Sequence, residues 1–315
     1  MMRDRTERVL FLITIDTECD HDPDWRRSSP LTFHSITDGL PNRLQPAFES
    51  VGAIPTYLLT VEVMEDPASV AELRALEGSY EFGTHLHAAF VEPSKKHYDY
   101  AGIASPDFQC HLPPEIEHAK LANLTALFEQ RFGYAPGSFR AGRYGAGPKT
   151  IESLARLGYL VDTSVTPYLR WPHPDGAVDY RRAPEQPYVP CTSDLARPAT
   201  DGVGSVLEIP VTMQPRWLRA PRWLRPWFSS ADQMRSIIGY QLRRHARQRT
   251  VVLNMMFHSM EVIPKASPYP QSEDDVRRFI DDMMQVLRWC RELGIEFART
   301  RDVPALLGRR PSTSG

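Results

Sequence analysis

Two carboxylates at the end of an apolar stretch are the first residues of this sequence that could do chemistry. The apolar run at residues 9–15 is followed by Asp16 and Glu18, which are two positions apart. Alternation along a β-strand puts residues i and i+2 on the same side. In α/β folds with parallel strands, active sites are built at the carboxyl ends of the strands. A carboxylate pair at that end could bind a cation or accept a proton.

Two histidines with the same spacing end another strand-like run. His85 and His87 follow residues 80–84. Two imidazoles and a carboxylate make a common open site for Zn²⁺ or another divalent metal. A water on such a metal becomes a nucleophile once a carboxylate takes its proton. Taken alone, the pair could equally be two surface or hydrogen-bonded histidines, but Asp16 and Glu18 favour the metal site.

Further ionisable groups follow three more apolar runs. Arg140 and Arg143 follow the strand-like run that begins at Ser138, and Asp162 lies in the run after Gly158. His258 and Glu261 end the strongly apolar run at residues 251–257. Five strands therefore bring ionisable groups to one end. That distribution is typical of a barrel enzyme.

The elements that must position these residues alternate regularly. Strands are predicted at residues 10–15, 54–59, 80–84, 138–140, 159–165, 206–211, 251–257 and 295–298. Helices are predicted at residues 40–51, 68–76, 114–132, 149–157, 231–247 and 272–293. This alternation indicates a (β/α) barrel or a doubly wound sheet. Two long irregular segments, 92–113 and 166–204, are expected to be functional loops or lids. We predict one domain over residues 1–308 and a flexible tail at 309–315.

Composition excludes several classes of function. The net charge of −2 gives no general reason to expect nucleic acid as a partner. Four cysteines without CxxC spacing are expected to be free thiols in a reducing compartment. The N-terminus is charged and lacks a signal-peptide pattern, and no segment is apolar enough for a membrane span. These features predict a cytoplasmic protein.

Five ordered motifs together resemble those of the polysaccharide deacetylases, the NodB-homology carbohydrate esterases. They are Asp16-Thr-Glu18, His85-Leu-His87, Arg140-Ala-Gly-Arg143-Tyr144, Asp162-Thr-Ser164 and His258-Ser. The match in order and spacing extends over residues 9–300. The chain looks most like the cytoplasmic WalW-like branch, which is found with polysaccharide biosynthesis.

The resemblance implies a distorted (β/α)7 barrel of the NodB type and metal-dependent removal of an acetyl group from an N- or O-acetylated sugar. Asp16 matches the general base and His258 the general acid. Arg140 matches the arginine that orients the base. Tyr144 matches the position whose backbone N–H helps to form the oxyanion hole. Asp162 matches the acid that pairs with the catalytic histidine or arginine.

The metal ligands depart from the commonest family pattern. His85 matches the first metal histidine. Thr17 stands where a second aspartate is usual, which makes Glu18 the substitute ligand. Ala89 stands where the second histidine of an HxxxH motif is usual, so His87 must serve instead. The expected cofactor is a divalent metal, zinc first, with cobalt or nickel as alternatives.

Two residues have less specific assignments. We expect Arg143 to bind an anionic group of the substrate, with a structural ion pair as the alternative. We expect Glu261 to bind sugar hydroxyls, and its alternatives are orienting the acid or lying solvated in a loop. The expected substrate is an N-acetylated saccharide. Two other functions stay open: hydrolysis of a non-sugar C–N amide on the same barrel, and a degenerate barrel that binds glycans without turnover.

An arginine- and tryptophan-rich stretch, residues 216–228, lies outside these motifs. It holds three of the six tryptophans, and residues 216–249 contain nine arginines and a single acid, Asp232. Such a surface could contact an anionic membrane, which would suit a lipid-linked glycan. The alternative is an aromatic lid on the barrel with solvated arginines.

Overall fold

A parallel β-sheet is the centre of the computed structural model, which describes residues 6–104, 108–200 and 204–309. Its strands, in chain order, are β1 (Arg8–Thr17), β2 (Pro55–Leu59), β3 (Glu81–Leu86), β4 (Ser138–Ala141), β5 (Val161–Asp162), β6 (Leu207–Glu208), β7 (Thr250–His258) and β8 (Glu296–Phe297). Seven strands lie in the order β6-β5-β4-β3-β2-β1-β7, with every neighbouring pair parallel, and β8 pairs with the start of β1. Each of the eight predicted strand regions overlaps one of these strands.

Helices cover the outside of the sheet. A π-helix (Ser35–Leu44) continues into α1 (Gln45–Val51), and the other helices are α2 (Val61–Glu65), α3 (Pro67–Ala75), α4 (Pro114–Phe132), α5 (Pro148–Arg156), α6 (Ala231–Arg244), α7 (Glu273–Glu292) and α8 (Val303–Leu306). The six predicted helices are present, whereas α2 and α8 were not predicted because they are too short to show a helical period. Gly133 and Gly294 follow α4 and α7 with φ of 78° and 73°, the left-handed conformation that ends a helix.

The sheet curves into a distorted barrel whose last gap is closed by irregular chain. Thr212, which follows β6, donates its N–H to the carbonyl of Asn254 in β7 at 3.0 Å, and its Oγ1 accepts the Asn254 N–H at 2.8 Å. Strands β1 and β7 are buried on both faces from Leu10 to Thr17 and from Val251 to Phe257, which explains their continuous apolar sequences.

The two long loops contain short elements that sequence periodicity did not reveal. The segment 166–204 includes two small hairpins, Arg170–Trp171 with Val178–Asp179 and Pro190–Cys191 with Asp194–Pro198. The four cysteines are free thiols, as predicted. Apart from Arg309, the predicted tail lies outside the described residues. Within the described ranges, no helix combines the length and apolar character needed to cross a bilayer.

Candidate active site

A cavity of about 540 Å³ lies at the carboxyl ends of the strands. Seven of the ten predicted site residues line it, namely Asp16, Glu18, His85, His87, Arg143, Tyr144 and His258. The other three, Arg140, Asp162 and Glu261, are fully buried outside the cavity wall. The fold therefore separates side chains that can meet a substrate from side chains that can act only through a neighbour.

Asp16 lies at the end of β1 between an arginine and two histidines. Its Oδ1 accepts a hydrogen bond from Arg140 Nη1 at 2.6 Å. Its Oδ2 is 3.9 Å from His85 Nε2 and 3.8 Å from His258 Nε2. Burial acts to raise the pKa of Asp16, but the positive charges of Arg140, His85 and His258 lower it below the ordinary value. Asp16 is thus held ionised, with one oxygen free to face the cavity.

Arg140 is held by a buried polar network that crosses the barrel. Its Nη2 donates to Thr14 Oγ1 at 2.6 Å, and its Nε donates to the Thr163 carbonyl at 2.9 Å. Thr14 Oγ1 lies 2.9 Å from Asn254 Oδ1, and Asn254 Nδ2 donates to Thr163 Oγ1 at 2.8 Å. Because strands β1, β4 and β7 all contribute, the network fixes the guanidinium that in turn orients Asp16.

Glu18, His85 and His87 bring their ligand atoms within 4.8 Å of one another. Glu18 Oε2 is 3.2 Å from His87 Nε2, and Glu18 Oε1 is 3.6 Å from His85 Nε2. Burial acts to raise the pKa of Glu18, but His87 and His85 hold it well below the ordinary value. The predicted i, i+2 histidines are therefore on one side of the chain, with ring centroids 4.7 Å apart.

This cluster fits a divalent metal. Both ring nitrogens of His87 are buried; among the described residues Nδ1 has no hydrogen-bond partner, and Nε2 has only the 3.2 Å ion-pair contact with Glu18 Oε2. His85 Nδ1 lies 3.0 Å from the Arg140 carbonyl. Since a carbonyl only accepts, Nδ1 carries the hydrogen and Nε2 offers its lone pair to the cluster. Two imidazoles and one carboxylate form a donor set suited to zinc and similar cations.

Gly142 lets His87 pack against the next strand. A Cβ atom at this position would lie 2.6 Å from His87 Nδ1 and 2.6 Å from the Leu86 carbonyl oxygen. Such contacts are far inside van der Waals distance, so only glycine leaves room for the imidazole. The glycine of the Arg140-Ala-Gly-Arg143 motif thus has a definite task that sequence analysis did not assign.

His258 is oriented by a carboxylate and a buried arginine. Its Nδ1 lies 2.9 Å from Glu261 Oε1, which accepts, and 3.1 Å from Arg225 Nη2, which donates, so Nδ1 is held by these two side chains and Nε2 faces the cavity. Arg225 forms an ion pair with the same Glu261 oxygen and is itself almost fully buried. Glu261 is 0% exposed, which favours the orienting role over the predicted contact with sugar hydroxyls.

Asp162 lies beside another carboxylate rather than beside His258. It pairs with Glu208 across β5 and β6, and its Oδ1 accepts a hydrogen bond from Ser164 at 2.5 Å. Burial, the main cause, raises the pKa of both acids, and for Glu208 the neighbouring Asp162 raises it further. The carboxylate that contacts His258 Nδ1 is Glu261, so the predicted histidine partner is a different acid. Of the two predicted roles of Asp162, only the one toward Arg140 agrees with this position.

Arg143 and Tyr144 form a strained turn at the cavity edge. Both have positive φ, 53° and 59°, which non-glycine residues adopt mainly where surrounding structure imposes it. The Tyr144 ring stacks on Trp171 with centroids 5.1 Å apart, and the Arg143 guanidinium lies 5.2 Å from the centre of the Phe108 ring. The turn therefore exposes one aromatic wall and one cation to a ligand.

Other cavity residues carried no recognisable motif. Trp25 packs against His258 with ring centroids 5.0 Å apart. Buried Arg27 approaches Glu18 Oε2 at 3.8 Å, donates to Glu62 at 3.3 Å and covers the ring of Phe90. Only the juxtaposition of loops identifies such residues. Arg225 was missed because it lies in an arginine-rich segment that resembles a basic surface, although its side chain is buried against Glu261.

Solved structures share this fold. An allantoinase, PuuE, superposes with a TM-score of 0.59 at 12% identity, over 98% of this chain and 93% of that one. A Pseudomonas aeruginosa protein assigned as a polysaccharide deacetylase gives 0.56 at 14% identity, over 95% and 90%. A Mycobacterium smegmatis protein with the same assignment gives 0.51 at 15% identity, over 100% and 96%. The predicted α/β barrel of the NodB type is confirmed.

Sequence comparison adds no relative. No family model matches the chain, and no curated protein does so either. At identities of 12–15%, the likeness to the solved structures concerns the fold alone. The chemistry must therefore be argued from the site itself.

Proposed function

We propose that this protein is a metal-dependent carbohydrate deacetylase of the polysaccharide deacetylase family, in its WalW-like cytoplasmic branch. One observation carries the proposal: Asp16 Oδ2 and His258 Nε2 are 3.8 Å apart beside the Glu18–His85–His87 cluster, in one cavity. A base, an acid and a metal-binding set in that arrangement are what hydrolysis of an acetyl amide or ester requires.

Asp16 and His258 divide the proton transfers. Asp16 Oδ1 is occupied by Arg140, so Oδ2 is the atom that accepts a proton from a water in the cavity. Attack of that water on the acetyl carbon puts negative charge on the acyl oxygen. His258 Nε2 then gives a proton to the departing sugar nitrogen or oxygen as its bond to the carbon breaks, and acetate is released. Glu261 stabilises the imidazolium through Nδ1.

Two residues at the edge of the cavity are assigned to the acyl oxygen and the sugar of the substrate. We assign the Tyr144 N–H to the oxyanion hole, since Tyr144 lines the cavity and belongs to the positive-φ turn at its edge. We assign Arg143 to an anionic group of the substrate, since the side chain is exposed at the cavity. Asp162 acts on Arg140 from behind through its charge.

Glu18, His85 and His87 would hold the metal, with zinc expected first and cobalt or nickel as alternatives. A divalent cation there supplies positive charge to the acyl oxygen and makes a nearby water more acidic. We propose an N-acetylated saccharide of polysaccharide or glycolipid biosynthesis as substrate, with an O-acetylated sugar as a variant. A lipid-linked form of that saccharide would suit a peripheral membrane contact through residues 216–228.

A second candidate function is hydrolysis of a non-sugar C–N bond. The observation that favours it is the fold likeness to an allantoinase. A barrel that binds glycans without turnover is the third outcome. A panel of N-acetyl sugars, sugar nucleotides and lipid-linked saccharides, assayed for acetate release beside cyclic and linear ureides, separates these possibilities.

The decisive variants are Asp16→Asn and His258→Ala. Each should reduce acetate release at least about 1,000-fold, since it removes one of the two proton-transfer groups. Thermal unfolding and circular dichroism verify that both variants fold. Undiminished turnover in either variant would refute the role assigned to that residue. Wild-type protein that binds no metal and is not activated by Zn²⁺, Co²⁺ or Ni²⁺ would refute metal dependence.

A further inference from the structure

The arginine- and tryptophan-rich stretch divides into a packed part and an exposed part. Trp223 lies against Tyr144 and Trp171, and Trp227 lies against Tyr269, at ring distances of 5.5–6.3 Å. These two tryptophans form the aromatic lid that the sequence allowed as an alternative. The third tryptophan is in a different environment, at the tip of a hairpin.

The tip hairpin consists of the antiparallel strands Met213–Arg216 and Arg219–Trp223, joined by a two-residue turn. The turn residues are Trp217 and Leu218, which are 89% and 88% exposed. Leu218 has φ of 53°, a conformation that leucine rarely adopts. Two adjacent large apolar side chains on a strained tip differ from the scattered exposed apolar residues of ordinary surfaces.

The hairpin is also purely basic. Arg216, Arg219 and Arg222 lie on it, and no acidic residue occurs between Glu208 and Asp232. None of the three forms an ion pair within the part of the chain that the structure describes. Their positive charge is therefore not neutralised by any carboxylate of the described residues. An apolar tip with cations directly behind it matches the acyl-chain and phosphate layers of an anionic bilayer.

We propose that the tip hairpin docks the protein onto an anionic lipid surface, with Trp217 and Leu218 inserted and the three arginines at the phosphates. A protein partner fits less well, because two side chains offer far less than the roughly 800 Å² per partner of a stable interface. Each arginine near an anionic membrane strengthens binding about fivefold, so the contact is reversible and sensitive to salt.

The base of the hairpin joins this surface to the cavity. Met213 and Leu224 are buried, and the Trp223 ring contacts Tyr144 and Trp171 in the cavity wall. The strand between base and tip is about 13 Å long. A docked hairpin would hold the cavity close to the headgroups, where a lipid-linked saccharide presents its sugar. That last point rests on the proposed function, whereas the docking itself does not.

Vesicle co-sedimentation of the full chain tests the proposal. The wild type should bind vesicles of phosphatidylcholine mixed with phosphatidylglycerol at low ionic strength, and should bind vesicles of phosphatidylcholine alone at least about tenfold more weakly. W217S/L218S should lose at least about tenfold in binding, and R219Q/R222Q about 25-fold, from the fivefold effect of each arginine. Leu293→Ser, at an exposed leucine that follows α7 and is outside the hairpin, should bind like the wild type.

Three results would overturn the proposal. They are no wild-type binding to the anionic vesicles, equal binding by W217S/L218S, or a lipid-free dimer in light scattering that this variant abolishes. Acetate release from a soluble N-acetyl sugar should be unchanged in W217S/L218S, because the tip does not line the cavity. Failure of docking with intact turnover would leave the proposed deacetylase function standing.

Discussion

Asp16–Glu18 and Asp162–Glu208 are both pairs of buried carboxylates at strand ends of the same sheet, and their surroundings differ. The first pair is enclosed by Arg140 and four histidines, whose positive charges lower the pKa of one or both acids. The second pair accepts hydrogen bonds from the Ser164 hydroxyl and the Val165 N–H, and burial raises the pKa of both acids although the charge of Arg140 acts to lower it.

The difference shows that the partners of a carboxylate decide its task. With cations around it, a buried acid remains charged and can bind a metal or accept a proton. Beside another acid, its pKa rises, because placing two like charges next to each other in a dry site is unfavourable. Each pair consists of one aspartate and one glutamate, and all four side chains are buried. The two pairs differ in the groups that surround them. Three predictions test this comparison.

The largest effect is expected from Glu18→Gln. Loss of the negative charge of Glu18 from the proposed metal site should leave the protein with little metal and reduce acetate release at least about 100-fold. Elemental analysis of the purified protein and the acetate assay measure both. The matched change Glu208→Gln, in the other pair, should leave metal content unchanged. A Glu18→Gln protein that keeps stoichiometric metal would remove Glu18 from the ligand set.

A smaller effect is expected from Gly142→Ala. The added Cβ would meet His87 Nδ1 at 2.6 Å, so the imidazole must move and metal affinity should fall about 10–100-fold. Competition with a chelator gives the dissociation constant. Gly239→Ala on α6, where the Cβ would meet only the flexible end of Arg243, is the control. Equal affinities in the two variants would mean that His87 is not a ligand.

The smallest effect is a pH-dependent change in stability, which is expected from Glu208→Gln. The folded-state pKa of Glu208 lies well above its ordinary 4.5. Above pH 4.5 the unfolded chain releases this proton while the folded chain retains it, so this acid lowers stability as pH rises toward its folded pKa. Glu208→Gln should therefore be more stable than the wild type by about 1–3 kcal/mol near pH 8, with little difference near pH 5.

Urea unfolding at the two pH values measures the difference between Glu208→Gln and the wild type. A Glu208→Gln protein that is less stable at both pH values would show that Glu208 acts as an ordinary charged hydrogen-bond acceptor. In that case the contrast with the Asp16–Glu18 pair would no longer hold.

Much of the fold was predictable because it depends on local patterns. Continuous apolar runs such as β1 and β7 are buried on both faces, and helix ends such as Gly133 follow the usual capping rules. The short α2 helix and the hairpins in 166–204 were missed. They are too short for a period to emerge, and tertiary contacts hold them in place.

Patterns local to the chain were enough to predict which residues reach the carboxyl ends of the strands. A strand period of two and the alternation of elements are enough to bring Asp16, Glu18, His85, His87 and His258 to one cavity. Both patterns depend only on residues that are close in the chain, so they can be recognised in the sequence.

The pairing of each acid with its histidine or arginine partner, in contrast, became visible only in the three-dimensional arrangement. Glu261 rather than Asp162 contacts His258. Arg225 is buried against Glu261, although the arginines just before it lie on an exposed hairpin. Gly142 leaves room for the His87 imidazole, which comes from another strand. Such pairings depend on distances between segments far apart in the chain. No local pattern encodes those distances, because packing of the whole barrel sets them.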